Sequence, residues 1–234
     1  MSIVEEEPSA KHAASAGGSH AIKAAVDILG GTLLALLATP VIVAGAIGSA
    51  VAFRTWPFFV QRRIGHRGRE FRCVKIRTLP KRTPPTLDKY SLDGVAIPRL
   101  ARLLRSTHLD ELPQLWQVPV LRMSLVGPRP ELPEIEARYP EWLRSMRRTV
   151  RPGCTGLWQI SVGAPGMIYE APEYDECYIT HRSLRLDAWI LWRTARMAAG
   201  GRAITLDDLA ARGWLVPSSH DPEPCLATSA RALR

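Results

Sequence analysis

Residues 28–53 form a run of 26 positions without a single charge and without polar alternation. As one helix such a run would measure about 39 Å, enough to cross a bilayer. Thr39-Pro40 falls near its middle. Proline removes one helical hydrogen bond and clashes with the preceding turn, so the helix is expected to break or kink there. Length and composition favour a simple span. A re-entrant segment that dips in and returns to the same face is the second arrangement, with the Thr39 hydroxyl helping to satisfy a freed carbonyl. A buried helix of a soluble domain is the third, and the Gly/Ala/Leu/Val composition fits it least. Asp27 follows Lys23 at helical spacing, which would hold that end at the interface.

Beyond residue 54 the pattern changes to short elements. Residues 58–60 and 71–74 read as two strands joined by a turn around Gly65-His66-Arg67-Gly68. Residues 80–98, with Pro80, Pro84, Pro85 and Pro98, form a loop. Residues 99–107 place Leu100, Leu103 and Leu104 on one helical face, with Arg99, Arg102 and Arg105 largely on another. A basic amphipathic helix beside an apolar segment suits a membrane interface, and the same pattern suits an ordinary surface helix. Residues 133–148 read as helix broken near Pro140. Residues 151–166 carry turn signals, and residues 184–199 form an apolar helix with Trp189 and Trp192. The division is a disordered tail 1–20, a membrane segment 21–53, a catalytic domain 54–216 and a disordered polar tail 217–234. The fold class is mixed α/β but mostly helical, with a small sheet and no internal repeat.

Charge sharpens this picture. The 234 residues carry net +9, yet residues 1–50 hold two basic and four acidic residues, so the remainder carries +11. Residues 54–82 alone have ten Lys/Arg against Glu70. Such a domain seeks a polyanion: nucleic acid, an anionic membrane surface or a phosphorylated substrate. The chain has no nucleic-acid reading motif, and aromatic residues make up only 7% of it, which argues against nucleic acid. The basic block sits where the positive-inside rule places cytoplasmic residues, and the long run with its weakly basic start is a poor signal peptide. Four cysteines stand far apart with no CxxC pair. That excludes a disulfide scaffold or zinc ribbon and fits a reducing compartment.

Four places could do chemistry. Asp110-Glu111 lies between Leu109 and Leu112 and follows a cationic helix. Adjacent carboxylates are usually solvated or complement a helix dipole. In an apolar, basic setting they can hold a divalent metal or attack phosphorus. In Gly127-Pro128-Arg129-Pro130 two prolines stiffen the backbone around one guanidinium, suiting it to phosphate or carboxylate; the plain alternative is a surface turn. Strand alternation puts Lys75 and Arg77 on one face, either an anion pocket or a solvated sheet face. Pro152-Gly153-Cys154-Thr155-Gly156 reads as a tight turn, ordinary or presenting amides to a phosphate. His108 is a possible base. There is no dinucleotide fingerprint, Walker loop or Ser-His-Asp signature.

The ordered set FFVQRRIGHRGREFRCVKIRTL, RLARLLRSTHLDELPQLW, MSLVGPRPEL, VRPGCTGLWQIS and YDECYITHRSLRLDAWIL, after a Pro-broken apolar segment, resembles the bacterial sugar transferases over roughly residues 21–200. These are polyprenyl-phosphate phosphoglycosyl transferases that start exopolysaccharide and other surface-glycan synthesis. The resemblance implies transfer of a sugar-1-phosphate from a nucleotide diphosphosugar, usually a UDP-sugar, to undecaprenyl phosphate. It implies Asp110 as the nucleophile, through an aspartyl phosphosugar, with Glu111 its partner and Mg²⁺ held by the pair. Lys75, Arg77, Arg105 and Arg129 become the cationic clamp, and Asp175 matches an acidic position serving the site. It also implies that the apolar segment is re-entrant, turning at Thr39-Pro40 on the cytoplasmic face of the inner membrane, with amphipathic helices at headgroup level. The chain departs from the family at Gln117, Arg122 and Val162-Gly163. Those departures motivate an alternative: an inactive membrane scaffold for downstream glycosyltransferases.

Overall fold

The computed structural model describes residues 10–81, 83 and 97–215, with side chains from residue 20. The expected tail 217–234 and most of the loop 80–98 lie outside the described residues.

Helix α1 (Ala10–Phe53) corrects two expectations. It begins inside the stretch read as a tail, where Ala10, Ala13, Ala14 and Ala16 are strong helix formers. It also continues through Pro40, so Thr39-Pro40 does not divide it into two elements. The Thr39 hydroxyl donates to the Ala35 carbonyl at 2.7 Å, one residue before the carbonyl that Pro40 leaves without an amide. One lost hydrogen bond is a small penalty beside unwinding an apolar segment whose side chains offer the backbone few other partners. By length and composition residues His20–Phe53, which contain an 18-residue window of mean hydropathy 2.1, could cross a membrane.

The helix docks on the rest of the chain near both ends of its apolar run. Asp27 is fully buried and accepts from Lys23 Nζ (2.9 Å), Ser124 Oγ (2.8 Å) and the Leu125 amide (3.0 Å). The pairing of Lys23 with Asp27 was legible in the spacing, but protein rather than interfacial water surrounds the carboxylate. Toward the other end Gly45 lies against Ile76 and Leu104, and Ser49 Oγ donates to the Arg77 carbonyl at 2.7 Å. Between these seats Leu29, Leu33, Leu36, Leu37, Ile47 and Val51 stay exposed, up to 73%.

Strands β1 (Phe58–Ile64) and β2 (Glu70–Ile76) form an antiparallel hairpin, longer than expected, with Phe58 opposite Ile76 and Ile64 opposite Glu70. Helix α2 (Arg99–Ser106) leads into a 3₁₀ segment, Leu109–Gln117, that packs on β2 and α1. A second two-stranded sheet pairs β3 (Ser124–Val126) in parallel with β4 (Gly153–Thr155). Helices α3 (Pro133–Glu136) and α4 (Glu141–Arg148) connect them, divided at Pro140 as the sequence predicted. Helices α5 (Glu173–Thr180), α6 (Leu184–Ala198) and α7 (Leu206–Ala210) follow. The mostly helical class with little sheet therefore holds. The core gathers Val118, Met123, Val126, Leu143, Leu157, Tyr178, Leu186 and Ile190 around the β3–β4 pair.

Docking of α1 depends on a missing side chain. A Cβ on Gly31 would lie 2.5 Å from Val118 Cγ1, and Val118 is fully buried and stiff. Gly31→Leu is expected to lower stability by about 1–3 kcal/mol through overpacking. Leu29→Ala, on the exposed face, should stay within about 0.5 kcal/mol of the parent. Thermal unfolding in detergent checks both; equal shifts would remove the docking interpretation.

Candidate active site

The 3₁₀ segment Leu109–Gln117 presents the acidic pair. Three residues per turn place Asp110, Pro113 and Trp116 along one side and Glu111, Gln114 and Gln117 along the next. At nine residues it is longer than such helices usually run. Its entry is strained: His108 sits at φ 57°, ψ 15°, in the left-handed region that a side chain disfavours. His108 thus turns the chain from α2 into the segment. Gln117 Nε2 donates to the Arg72 carbonyl and ties the segment's far end to β2.

Glu111 is the hub. Its Oε1 accepts from Lys75 Nζ at 2.8 Å and from Arg129 at 3.1 Å. Its Oε2 accepts from Gln114 at 3.2 Å and, weakly, from Arg129 at 3.5 Å. Burial alone would raise the Glu111 carboxyl, but Arg129 and Lys75 hold it well below the usual carboxylate range. Glu111 in turn pushes the Arg129 guanidinium above its ordinary value. Asp110, next in the chain, is the opposite case. It is only 8% exposed and makes no side-chain hydrogen bond among the described residues. Burial, then the Glu111 charge, raises its carboxyl to about 6, against the pull of Lys75 and Arg105. A small cavity lies among Lys75, Glu111, Gln114, Arg129, Cys73 and Cys154.

The remaining sequence candidates separate. Arg105 is near enough to stabilise Asp110 electrostatically and donates to Thr78 Oγ1 at 3.3 Å. Arg77 is spent elsewhere: it donates to the carbonyls of Trp56 (3.0 Å) and Phe58 (3.4 Å) and leans over the Phe59 ring. Asp175 is buried behind the site and pairs with Arg147, which also donates to the Arg129 carbonyl. It buttresses the arginine turn through Arg147 and does not line the cavity. The stretch read as the tight turn Pro152–Gly156 contains β4 at its centre. Its Gly153 amide donates to the Pro128 carbonyl (2.9 Å), and its Thr155 carbonyl accepts the Gly127 amide (2.9 Å). Pairing with the arginine turn therefore takes up the Gly153 amide that a free turn would offer a phosphate.

Sequence reasoning passed over Gln114, Arg63 and Arg147. Gln114 stands three residues after Glu111, one 3₁₀ turn, which was a usable signal. Arg63 is buried and donates to the Pro130 carbonyl at 3.2 Å. An arginine at an inward position of β1 was its only trace. Of the departures, Gln117 has a structural bond, the Gly163 amide meets Ser161 Oγ at 3.0 Å, and none of the four residues lines the cavity.

No cluster of three His, Cys, Asp or Glu suited to a metal occurs among the described residues. Mg²⁺, however, is commonly held by one or two carboxylates plus substrate phosphates. Asp110, without a side-chain hydrogen bond, and Glu111 Oε2, with only the two longer contacts, are oxygens that fit that role.

A sequence model described as bacterial sugar transferase matches residues 18–201. A UDP-galactose-lipid carrier transferase of Erwinia amylovora is 36% identical over 157 residues, covering 59% of this chain and 32% of that protein. An undecaprenyl-phosphate galactose phosphotransferase of Salmonella typhimurium is 30% identical over 197 residues, covering 76% and 40%. The exopolysaccharide production protein ExoY of Rhizobium meliloti is 33% identical over 195 residues, covering 74% and 83%. The chain thus spans less than half the length of the first two and most of the third.

The raised Asp110 carboxyl has a stability consequence. Between pH about 4 and 6 the folded chain binds more of this proton than the unfolded chain, so its contribution falls as pH rises and is fully unfavourable above about 6. Asp110→Asn should therefore stabilise the metal-free protein at pH 7.5 by up to about 3 kcal/mol and by little at pH 4. Denaturant unfolding at both pH values measures this; an equal difference at both would show an ordinary carboxyl.

Proposed function

The chain belongs to the bacterial sugar transferase family, and from that premise we propose that it is a phosphoglycosyl transferase that moves a sugar-1-phosphate from a UDP-sugar to undecaprenyl phosphate. The observation that carries this reading is the contrast at the dyad: a carboxylate on Asp110 with no side-chain hydrogen bond among the described residues, beside one on Glu111 fixed by two cations. A buried carboxylate whose pKa is raised to about 6 is ionised at neutral pH and more basic than an exposed one. That makes it the better nucleophile, while the pinned Glu111 keeps the cations in register.

In the first half-reaction an Asp110 oxygen attacks the phosphorus bearing the sugar. The bond from that phosphorus to the bridging oxygen breaks, and uridine monophosphate leaves with the bonding electrons. In the second, an oxygen of undecaprenyl phosphate attacks the same phosphorus and the Asp110 carboxylate is released. Lys75, Arg129 and Arg105 stand where negative charge on the diphosphate must be neutralised, the main task in phosphoryl transfer. Mg²⁺ held by Asp110 and Glu111 would add charge neutralisation at the phosphate oxygens. Relatives named for UDP-galactose and for undecaprenyl phosphate support the donor and acceptor, and ExoY supports exopolysaccharide as the destination. The lipid-linked product then passes to downstream glycosyltransferases.

The site must meet a lipid phosphate at the cytoplasmic surface of the inner membrane, where nucleotide sugars are found. Helix α1 suits this without crossing. Its seats at Asp27 and at Ser49 are on the same globular unit, so both ends of the apolar run are held against that unit while its leucines face outward. The basic, amphipathic α2 lies against α1 and fits the headgroup level.

Purified protein with Mg²⁺, undecaprenyl phosphate and a panel of UDP-sugars should release uridine monophosphate with one sugar, and Asp110→Asn should reduce release by at least about 10⁴-fold. No release from folded parent protein across the panel would favour the scaffold alternative. Cysteines introduced at positions 12 and 62 should both be labelled from the cytoplasmic side only; labelling of position 12 from outside would mean a span.

A further inference from the structure

The cationic turn that carries Arg129 is attached to the membrane helix through a closed ring of buried polar contacts. Strand β3 has three residues, and the ring grips every one. Ser124 Oγ (2.8 Å) and the Leu125 amide (3.0 Å) donate to the two oxygens of Asp27. Tyr178 Oη lies 2.8 Å from the Val126 carbonyl and 3.1 Å from Asp187 Oδ1, its one proton shared between the two acceptors, and Ser124 Oγ lies 2.8 Å from the same carbonyl. Lys23 Nζ closes the ring, 2.9 Å from Asp27 Oδ1 and 2.9 Å from Asp187 Oδ2. Asp27, Ser124, Tyr178 and Asp187 are all buried.

The turn begins at the next residue. Gly127 has no room for a side chain: a Cβ there would sit 2.5 Å from the Arg151 carbonyl oxygen. Its neighbour Pro128 accepts from the Gly153 amide, and both flanking prolines restrict the backbone around Arg129. The two residues between the gripped strand and Arg129 are both bonded to β4, the Gly127 amide to the Thr155 carbonyl and the Pro128 carbonyl to the Gly153 amide, so a displacement of β3 is passed to Arg129.

We propose that Asp27 is a positioning residue for Arg129, so that the anion-binding geometry of the site is set by the seating of the membrane helix. The inference deepens the proposed function, since Arg129 is taken there to face the diphosphate of the donor. Asp27 touches no reacting atom. It acts through Ser124, Leu125 and the Gly127–Pro130 turn. A carboxylate serves best because one group accepts from two donors on β3 while remaining paired with Lys23, and the bond to the Leu125 amide is the part an amide side chain keeps. Asparagine can still accept from the Leu125 amide; leucine cannot.

The test is a double-mutant cycle read by binding of inorganic pyrophosphate to the purified, detergent-solubilised full chain, alongside turnover of the parent. Asp27→Leu is expected to weaken binding about tenfold or more, as for loss of hydrogen bonds to a buried charge, and Asp27→Asn to restore most of it. Ser124→Ala removes the hydroxyl that lies between Asp27 Oδ2 and the Val126 carbonyl, leaves the Leu125 amide on Asp27, serves if Asp27→Leu does not fold, and should weaken binding about two- to fivefold. In an Arg129→Ala background neither change should cause further loss, because the two positions then act as one unit. A merely structural Asp27 would lower thermal stability in both backgrounds but leave pyrophosphate affinity of the folded protein unchanged. That result, or losses that simply add, would overturn the proposal. Turnover is a separate readout: an inactive parent that still shows the cycle would count against the proposed reaction and not against the coupling.

Discussion

The site depends on one part-buried carboxylate with two cations on it. Glu111 comes from the 3₁₀ segment, Lys75 from the end of β2, and Arg129 from the turn after β3. They are 36 and 18 residues away from Glu111 in the chain. Breaking such a part-buried pair from one side costs about 1–3 kcal/mol, because the charge left behind is only partly hydrated in place of its partner. The three elements therefore hold one another in place. Gln114 adds a third donor to Glu111 from within the segment, and Gln117 bonds the Arg72 carbonyl of β2, so the segment's length and irregular backbone are compensated by contacts at both places.

That arrangement explains why two adjacent carboxyls behave oppositely. Lys75 and Arg129 are both directed at Glu111, which leaves Asp110 with burial and a neighbouring negative charge. Environments that separate two titratable groups are a common way to divide roles between them. Here Glu111 is the fixed anion and Asp110 the carboxylate of raised basicity. The stabilising ion pairs and the destabilised carboxylate arise together, since the cations drawn to Glu111 are the ones withheld from Asp110.

Much of this was legible in the sequence, and the gaps have physical causes. The acidic dyad, Lys75 and the proline-flanked Arg129 were readable because short motifs show residue type and local stiffness. The helical division at Pro140 was readable for the same local reason. Arg77 misled because alternation assigns a face only inside a strand, and β2 ends one residue earlier, at Ile76. The Pro152–Gly156 stretch misled because its composition says turn, while its pairing with β3 is a contact across 29 residues that composition cannot show. Asp175 and Arg147 form a buried pair visible only once α4 and α5 are packed. Pro40 predicted a break from a purely local penalty, and the apolar run on both sides outweighed it.

The apolar helix is also where a reading by hydropathy is least sufficient. Its composition describes the lipid-facing side, yet its function is set by the few residues that face the protein. Lys23, Asp27, Gly31, Gly45 and Ser49 are poor choices for a helix surrounded by hydrocarbon. Each is accounted for by a contact with the globular unit: an ion pair, two donors from β3, a close approach to Val118, another to Ile76, a bond to the Arg77 carbonyl. An orphaned carboxylate at Asp27 would be expensive in lipid and in protein alike, so the helix has little freedom to leave its seat while the domain stays folded. The exposed leucines, in contrast, place no constraint on the domain and gain only from a bilayer. Association with a membrane and assembly of the cationic site therefore draw on different faces of one helix, the exposed leucines for the first and the docked polar and small residues for the second.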